Sequence, residues 1–238
     1  MNKITSLTNP YIKKLFELKK NSQKKEEKRF IVDGDDFLSL AEKANLLEEI
    51  LTLEYLPQYE KVNQIIVTES IIEKLSTKKS TSTCLGICSY PQQKELKGSK
   101  FLYLDGVQDP GNVGTLIRTA LAFNYDGVIL SPDSASLYND KVISSTKGAI
   151  FLIPIYDNIS LKELKGKGYA LVSTSLNKAE DYRHYHFKES FVLILGNEGQ
   201  GVKKEVLEIS DYNVKIEMDN IDSLNVGVAG GILMNEYR

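Results

Sequence analysis

Three short stretches hold the residues of this chain best suited to chemistry. The first is Asp109-Pro110-Gly111-Asn112-Val113-Gly114, with Arg118 about one and a half helical turns beyond Asn112. The second is Gly196-Asn197-Glu198-Gly199-Gln200-Gly201. The third is Ser223-Leu224-Asn225-Val226, followed by Ala229. A guanidinium stays protonated, so Arg118 can grip an anion or a developing negative charge. Glu198 can orient a neighbouring polar group. The glycines let backbone approach a ligand closely. The pattern is neither GxGxxG nor GxxxxGK followed by Ser or Thr, so neither a dinucleotide nor a nucleoside triphosphate is indicated.

Each stretch lies where a strand should hand over to a turn or a helix. Phe101–Leu104 is an apolar run of strand length. After it, Val113, Leu116, Ile117, Ala120 and Leu121 recur at the spacing of one helix face, and Asn112 is placed to cap that helix. A helix N-terminus at the carboxyl end of a strand is a natural anion or polar-ligand site. The second stretch follows the run Phe191–Leu195 and the third follows Asn213–Ile216. Ser223 is expected to cap the last helix. That helix carries Gly227, Gly230 and Gly231, at roughly 1 kcal/mol each relative to Ala. Such a cost points to close packing against another backbone, a second subunit being one candidate.

Further runs occur at Gly127–Leu130, Leu152–Ile155 and Ala170–Ser173, with helical patterns between most of them. The runs are nearly continuous, as in a parallel sheet covered on both faces. The second half therefore reads as an α/β domain, residues 98–238. The first half, residues 1–92, reads as a smaller α/β domain. It starts a helix at Asn9-Pro10 running to about Lys20, then has a polar stretch to Lys28 and strands at Arg29–Val32, Glu49–Leu53, Gln64–Val67 and Cys84–Tyr90. Pro91–Lys100 is the expected linker.

The chain has 238 residues and a net charge of −2, so no global basic signal for nucleic acid exists. Between Tyr11 and Arg29, however, eight Lys and Arg stand against three Glu. This local excess can bind phosphates, with Lys19, Lys20, Lys24, Lys25 and Arg29 as the expected contacts, although a solvated helix face gives the same pattern. Cys84 and Cys88 lack metal-site spacing, and His184 and His186 are distant in sequence, so no metal is expected. The cysteines read as core residues in a reducing compartment. With no leader pattern and no run long enough to span a bilayer, the expected location is cytoplasmic.

Taken together and in order, the three stretches resemble the motifs of the SpoU/TrmH family of RNA ribose 2′-O-methyltransferases, in the SPOUT superfamily. The matching positions are Asp109, Pro110, Gly111, Asn112, Gly114 and Arg118; Gly196, Asn197, Glu198, Gly199 and Gly201; and Ser223, Leu224, Asn225, Val226 and Ala229. The stretches SLTNPYIKKLFELKK and RFIVDG resemble the substrate-binding domain of ribosomal-RNA members. Three departures stand out: Asp33 where Glu is common, a short glycine-free loop between Met218 and Ser223, and Gly227 in place of a serine.

The resemblance implies an α/β fold with a trefoil knot within about Phe191–Arg238, which periodicity alone would never suggest. It implies S-adenosyl-L-methionine as cofactor, bent among the knot loops and touched by Thr174, Gly196, Ile216 and Leu224, largely through backbone. It implies a homodimer with the site at the subunit interface. Arg118 takes the place of the catalytic arginine. Its physical role is to stabilise the developing alkoxide and grip the adjacent phosphate rather than to act as a base. Asn112 and Asn225 would hold Arg118 or the ribose, Glu198 would orient Arg118, and Ser223 would support the pocket.

The expected substrate is ribosomal RNA, because transfer-RNA members commonly lack the N-terminal domain. The competing readings are a transfer-RNA enzyme of the same family, a catalytically silent RNA-binding protein on this fold, and an unrelated nucleotide-binding α/β protein. The intact set of polar residues speaks against the second, and the missing GxGxxG against the third.

Overall fold

The structure is a computed structural model and describes residues 2–77, 82–176, 178–187 and 190–238. The chain divides into two compact units: residues 1–92 with 138–144, and residues 93–137 with 145–238.

The first unit contains β1 (Asn2–Ile4), α1 (Pro10–Glu17), α2 (Asn21–Glu27), β2 (Arg29–Asp33), α3 (Asp35–Lys43), β3 (Leu47–Thr52), β4 (Asn63–Val67), α4 (Glu69–Leu75) and β5 (Cys84–Ser89). The strands form a mixed sheet in the order β1-β4-β3-β5-β2. Asn9 caps α1, its Oδ1 accepting from the Tyr11 N–H at 2.9 Å, and Pro10 stands in the first turn where no N–H is needed. Ile12 and Leu15 pack from α1 onto Ile31, Leu51, Leu85 and Ile87 of the sheet. The helix stops at Glu17 rather than Lys20. The polar stretch Asn21–Lys28 is itself the helix α2, closed by Lys28 in the left-handed conformation at φ 51°. It has no apolar stripe to betray it, which is why periodicity passes over it.

The second unit contains β6 (Lys100–Asp105), α5 (Pro110–Ala122), β7 (Gly127–Leu130), α6 (Asp140–Thr146, of which residues to Ser144 group with the first unit), β8 (Ile155–Asp157), α7 (Leu161–Gly166), β9 (Ala170–Thr174), β10 (Glu180–Asp181), β11 (Phe191–Gly196), α8 (Lys204–Ile209), β12 (Tyr212–Lys215) and α9 (Val226–Glu236). The seven strands are all parallel, in the order β10-β12-β9-β11-β6-β7-β8. The strand cores are buried on both faces, as continuous apolar runs require.

Two expectations fail here. Leu152–Ile155 is not a strand: a 3₁₀ turn covers Ala149–Phe151, Leu152 is exposed, and the strand begins only at Ile155. Pro154 has no N–H to donate, so it contributes only its carbonyl, which accepts from the Val128 N–H at 3.0 Å, and the paired strand starts at the next residue. Asn213–Ile216 is also shifted, the observed strand β12 ending at Lys215.

Candidate active site

Asp109, not Asn112, caps α5. Its Oδ1 accepts from the Asn112 N–H at 2.9 Å, and Pro110 occupies the first helical position. Proline there forces the cap to the residue before it, and Asn112 is freed for other work. Likewise Asn225, not Ser223, caps α9, with Oδ1 accepting from the N–H groups of Gly227 at 2.8 Å and Val228 at 3.4 Å.

The free Asn112 amide and the remaining Nδ2 of Asn225 join the three motifs. Asn112 Nδ2 donates to Glu198 Oε1 at 3.0 Å, and Asn225 Nδ2 donates to Asn112 Oδ1 at 3.1 Å. Glu198 also accepts from the backbone N–H groups of Gln108 and Asp109, each at 3.1 Å. The sense of both amides follows from this chain, because a carboxylate sits at one end and helix N–H groups at the other. Burial pushes the Glu198 carboxyl up, but hydrogen bonds from Asn112 and from the backbone of Glu198, Gln108 and Asp109 outweigh it and hold its pKa below the ordinary value.

The second motif is folded on itself. Asn197 and Gly201 exchange backbone hydrogen bonds at 3.0 and 2.9 Å, and Asn197 Oδ1 accepts from Gly199 and Gln200. A Cβ on Gly196 would lie 2.1 Å from backbone atoms of Gly201 and Val202, so this close fold requires glycine.

Arg118 is exposed on α5, and its guanidinium has no hydrogen bond or ion pair among the described residues. Glu198, expected to orient it, instead holds Asn112 and the motif-one backbone. Ser223 is exposed, and its hydroxyl has no hydrogen-bond partner among the described residues.

Three of the four expected cofactor residues gather at one end of the sheet, and the fourth, Leu224, lies in the segment leading into α9. β12, β9 and β11 are neighbours, and Thr174 and Gly196 close β9 and β11 while Ile216 directly follows β12. Ile216 and Leu224 are half-buried, and the Thr174 hydroxyl donates to the Ile194 carbonyl at 3.2 Å.

A separate cleft of about 580 Å³ opens beside them, lined by Asp105, Gln108, Asp133, Asn197, Gln200 and Lys203 among others, and by none of those four. Asn197, Gln200 and Gly201 belong to the second motif, whereas Asp133 and Lys203 were not singled out from sequence, and Asp105 ends the strand that feeds the first motif. Asp105 is buried and accepts from the Lys203 N–H at 2.9 Å. Lys203 Nζ lies 3.5 Å from Asp105 and pairs with Asp133, whose hydrogen bond holds the ammonium pKa up.

The basic stretch divides. Lys24 is buried, donating to the Tyr138 carbonyl at 2.8 Å and pairing with Asp140, so it cannot meet RNA and the expectation for it is corrected. Arg29 is mostly covered, with Nε 2.7 Å from Glu48 and Nη2 3.9 Å from Glu49. Lys19, Lys20 and Lys25 are exposed, with Lys20 paired to Glu17. A mixed run of charges hides such internal pairs because their acidic partners come from elsewhere in the chain. Among the described residues, no group of three or more His, Cys, Asp and Glu is arranged to hold a metal ion.

An all-parallel sheet with cross-linked polar loops at its strand ends defines an α/β protein with a ligand site at that end. The sequence profile of the SpoU rRNA Methylase family matches residues 99–235. The chain is 31% identical over 247 residues to the 23S rRNA (guanosine(2553)-2′-O)-methyltransferase RlmP of Bacillus subtilis (strain 168), covering 100% of both. This protein belongs to the SpoU rRNA Methylase family. In structure it is similar to an AdoMet-bound rRNA methyltransferase from Sinorhizobium meliloti, at 26% identity and TM-score 0.89 over 99% of this chain and 96% of that one. It is also similar to the TrmH/SpoU tRNA modifying enzyme of A. aeolicus, at 26% identity and TM-score 0.52, but over only 59% of this chain and 74% of that one. Among the described residues no helix is long and apolar enough to cross a membrane.

Proposed function

We propose that this protein is an S-adenosyl-L-methionine-dependent methyltransferase acting on a ribose 2′-hydroxyl of ribosomal RNA. The observation that carries the reading is the relay Glu198–Asn112–Asn225, which ties the three motifs together at the strand ends, with Arg118 on the same helix as Asn112 and its guanidinium unpaired among the described residues. Similarity to RlmP along the whole chain supports a ribosomal substrate, whereas the tRNA enzyme of A. aeolicus matches about three fifths of it.

The residues at the carboxyl ends of β9, β11 and β12 suit the cofactor. Half-buried Ile216 and Leu224 offer apolar contact to an adenine ring, and Thr174 and Gly196 bring strand-end backbone beside it. When bound there, the cofactor supplies an electrophilic methyl on a sulfonium. The chain's own residues do the rest. Arg118 holds the phosphate beside the target ribose and stabilises negative charge on its oxygen as the hydroxyl proton passes to solvent water. Asn112 and Asn225 keep the first and third motifs in register, and Glu198 fixes Asn112. Ser223 lies two residues from Asn225 and lines the approach.

Lys19, Lys20 and Lys25 supply phosphate contacts from the first unit. The protein acts as a homodimer through the exposed face of α9, where Val228 is 53% exposed and Gly231 faces open space. The C-terminal segment forms the knot of the family, and the site of action is the cytoplasm.

Incubation with methyl-labelled cofactor and separate transcripts of 23S rRNA and tRNA tests this reading, with nucleoside mass spectrometry of the product. The expected result is a 2′-O-methylnucleoside in 23S rRNA. Label confined to tRNA, or found on a base, contradicts it.

A further inference from the structure

We infer that the cleft beside Asp105 holds one nucleotide of the RNA, a neighbour of the nucleotide that is methylated; this rests on the reading of the protein as an RNA methyltransferase. Its position comes first. From β6 the chain builds β7 and β8 on one side, then returns to place β9 and β11 on the other. The β6–β11 pair is therefore the point where strand order reverses, and crevices outside the carboxyl ends at such a point are where open α/β sheets bind ligands. The cleft lies there, with Asp105 ending β6, Gly106 directly after it and Asn197 directly after β11.

Its chemistry is that of a nucleotide reader. Gly106, at φ 73°, has nothing closer than 3.9 Å to where a Cβ would stand, which leaves the floor open. The side-chain amides of Gln108 and Gln200 line the cleft and have no hydrogen-bond partner among the described residues. Each offers a donor and an acceptor, the combination that reads a base edge. Lys204 also lines the cleft, with its side chain 89% exposed and only a loose 3.8 Å pairing to exposed Glu208, so its ammonium can reach one phosphodiester. Asp105 and Asp133 take up Lys203, so the lining has no surplus of positive charge for a polyphosphate. A volume of about 580 Å³ lies within the roughly 300–1,000 Å³ of small-ligand sites, too small for a duplex.

The cleft also has the right neighbour. The Gln108 N–H donates to Glu198 at 3.1 Å, and Asn197 precedes Glu198, so the cleft and the relay share two loops. A nucleotide seated there would sit beside the one presented to Arg118.

The test measures steady-state methylation of a 23S rRNA transcript by Gln200→Ala and Lys204→Glu, together with cofactor affinity by calorimetry. The expected result is a rise in KM for RNA of about tenfold or more, kcat within about twofold, and unchanged cofactor affinity. Unchanged KM overturns the inference. Weakened cofactor affinity with unchanged KM also overturns it, because the cleft then serves the cofactor. A wild-type protein that methylates no RNA overturns the inference together with the function it rests on. A second measurement is independent of folding defects in those variants: Lys204→benzoylphenylalanine, irradiated with the transcript, should cross-link within about two nucleotides of the methylated one. A cross-link elsewhere, or none, overturns the inference.

Discussion

Asn112 and Glu198, 86 residues apart, meet in a 3.0 Å hydrogen bond, and the same carboxylate gathers the N–H groups of Gln108 and Asp109. One side chain thus closes the first motif onto the second. Glu198→Ala removes an acceptor from three N–H groups that water can partly reach, at an expected cost of about 1–2 kcal/mol, with slower methyl transfer. The depressed pKa gives the pH dependence its sign. The stabilisation is fully present above the ordinary glutamate value and is lost as pH falls through the lowered folded value. Thermal melts from pH 7 to pH 3 should show a shallower acid limb for Glu198→Gln than for wild type; parallel limbs would contradict the assignment.

Lys24 belongs to the interior. Lys24→Ala removes a buried donor from the Tyr138 carbonyl and the Asp140 carboxylate, and should lower stability by about 1–3 kcal/mol in denaturant titrations. Lys19→Glu, Lys20→Glu and Lys25→Glu together should leave stability nearly unchanged while weakening RNA binding and flattening its dependence on salt. Equal RNA affinity for the triple variant at low salt would show that these lysines only solvate the surface.

Much of the fold was legible because it rests on local patterns. The continuous runs around Leu102, Val128, Leu171 and Leu193 have the length and composition of buried strands, and their alternation with helices points to a parallel sheet. The helix α2 was not legible, since its seven residues carry no apolar stripe. Residue type alone does not locate the caps, because Asn112 and Ser223 are good caps but Asp109 and Asn225 are equally good and stand at the positions the backbone uses. The pairing of Lys24 with Asp140 is a contact across 116 residues, and no local pattern announces it. The same holds for the relay, whose members each look like ordinary turn residues until the fold joins them.

Gly196 and Gly166 separate a required glycine from a tolerated one. A methyl at Gly196 would meet backbone at 2.1 Å, whereas Gly166 has nothing within 4 Å. Gly196→Ala should cost about 3 kcal/mol or more and abolish cofactor binding. Gly166→Ala should be neutral or stabilising by up to about 1 kcal/mol. Calorimetric melts of both variants provide the comparison.

Val228 tests the dimer. It is more than half exposed on a helix whose other residues are largely apolar. Val228→Asp should shift the protein to monomer in light scattering and reduce methylation with it. A dimer that persists would place the interface elsewhere.

Arg118 carries the central claim. Its guanidinium has no partner among the described residues, so removing it leaves no buried charge behind and should not unfold the protein. A group that grips the RNA phosphate and meets further charge as the ribose oxygen loses its proton lowers turnover without changing cofactor affinity. Single-turnover methyl transfer by Arg118→Ala, with cofactor saturating, should fall by at least about a hundredfold, the scale of one lost oxyanion donor. Arg118→Lys should recover only part of it, because a point charge does not reproduce a planar fork. A folded Arg118→Ala protein that binds cofactor and methylates RNA at near wild-type rate would contradict the assignment.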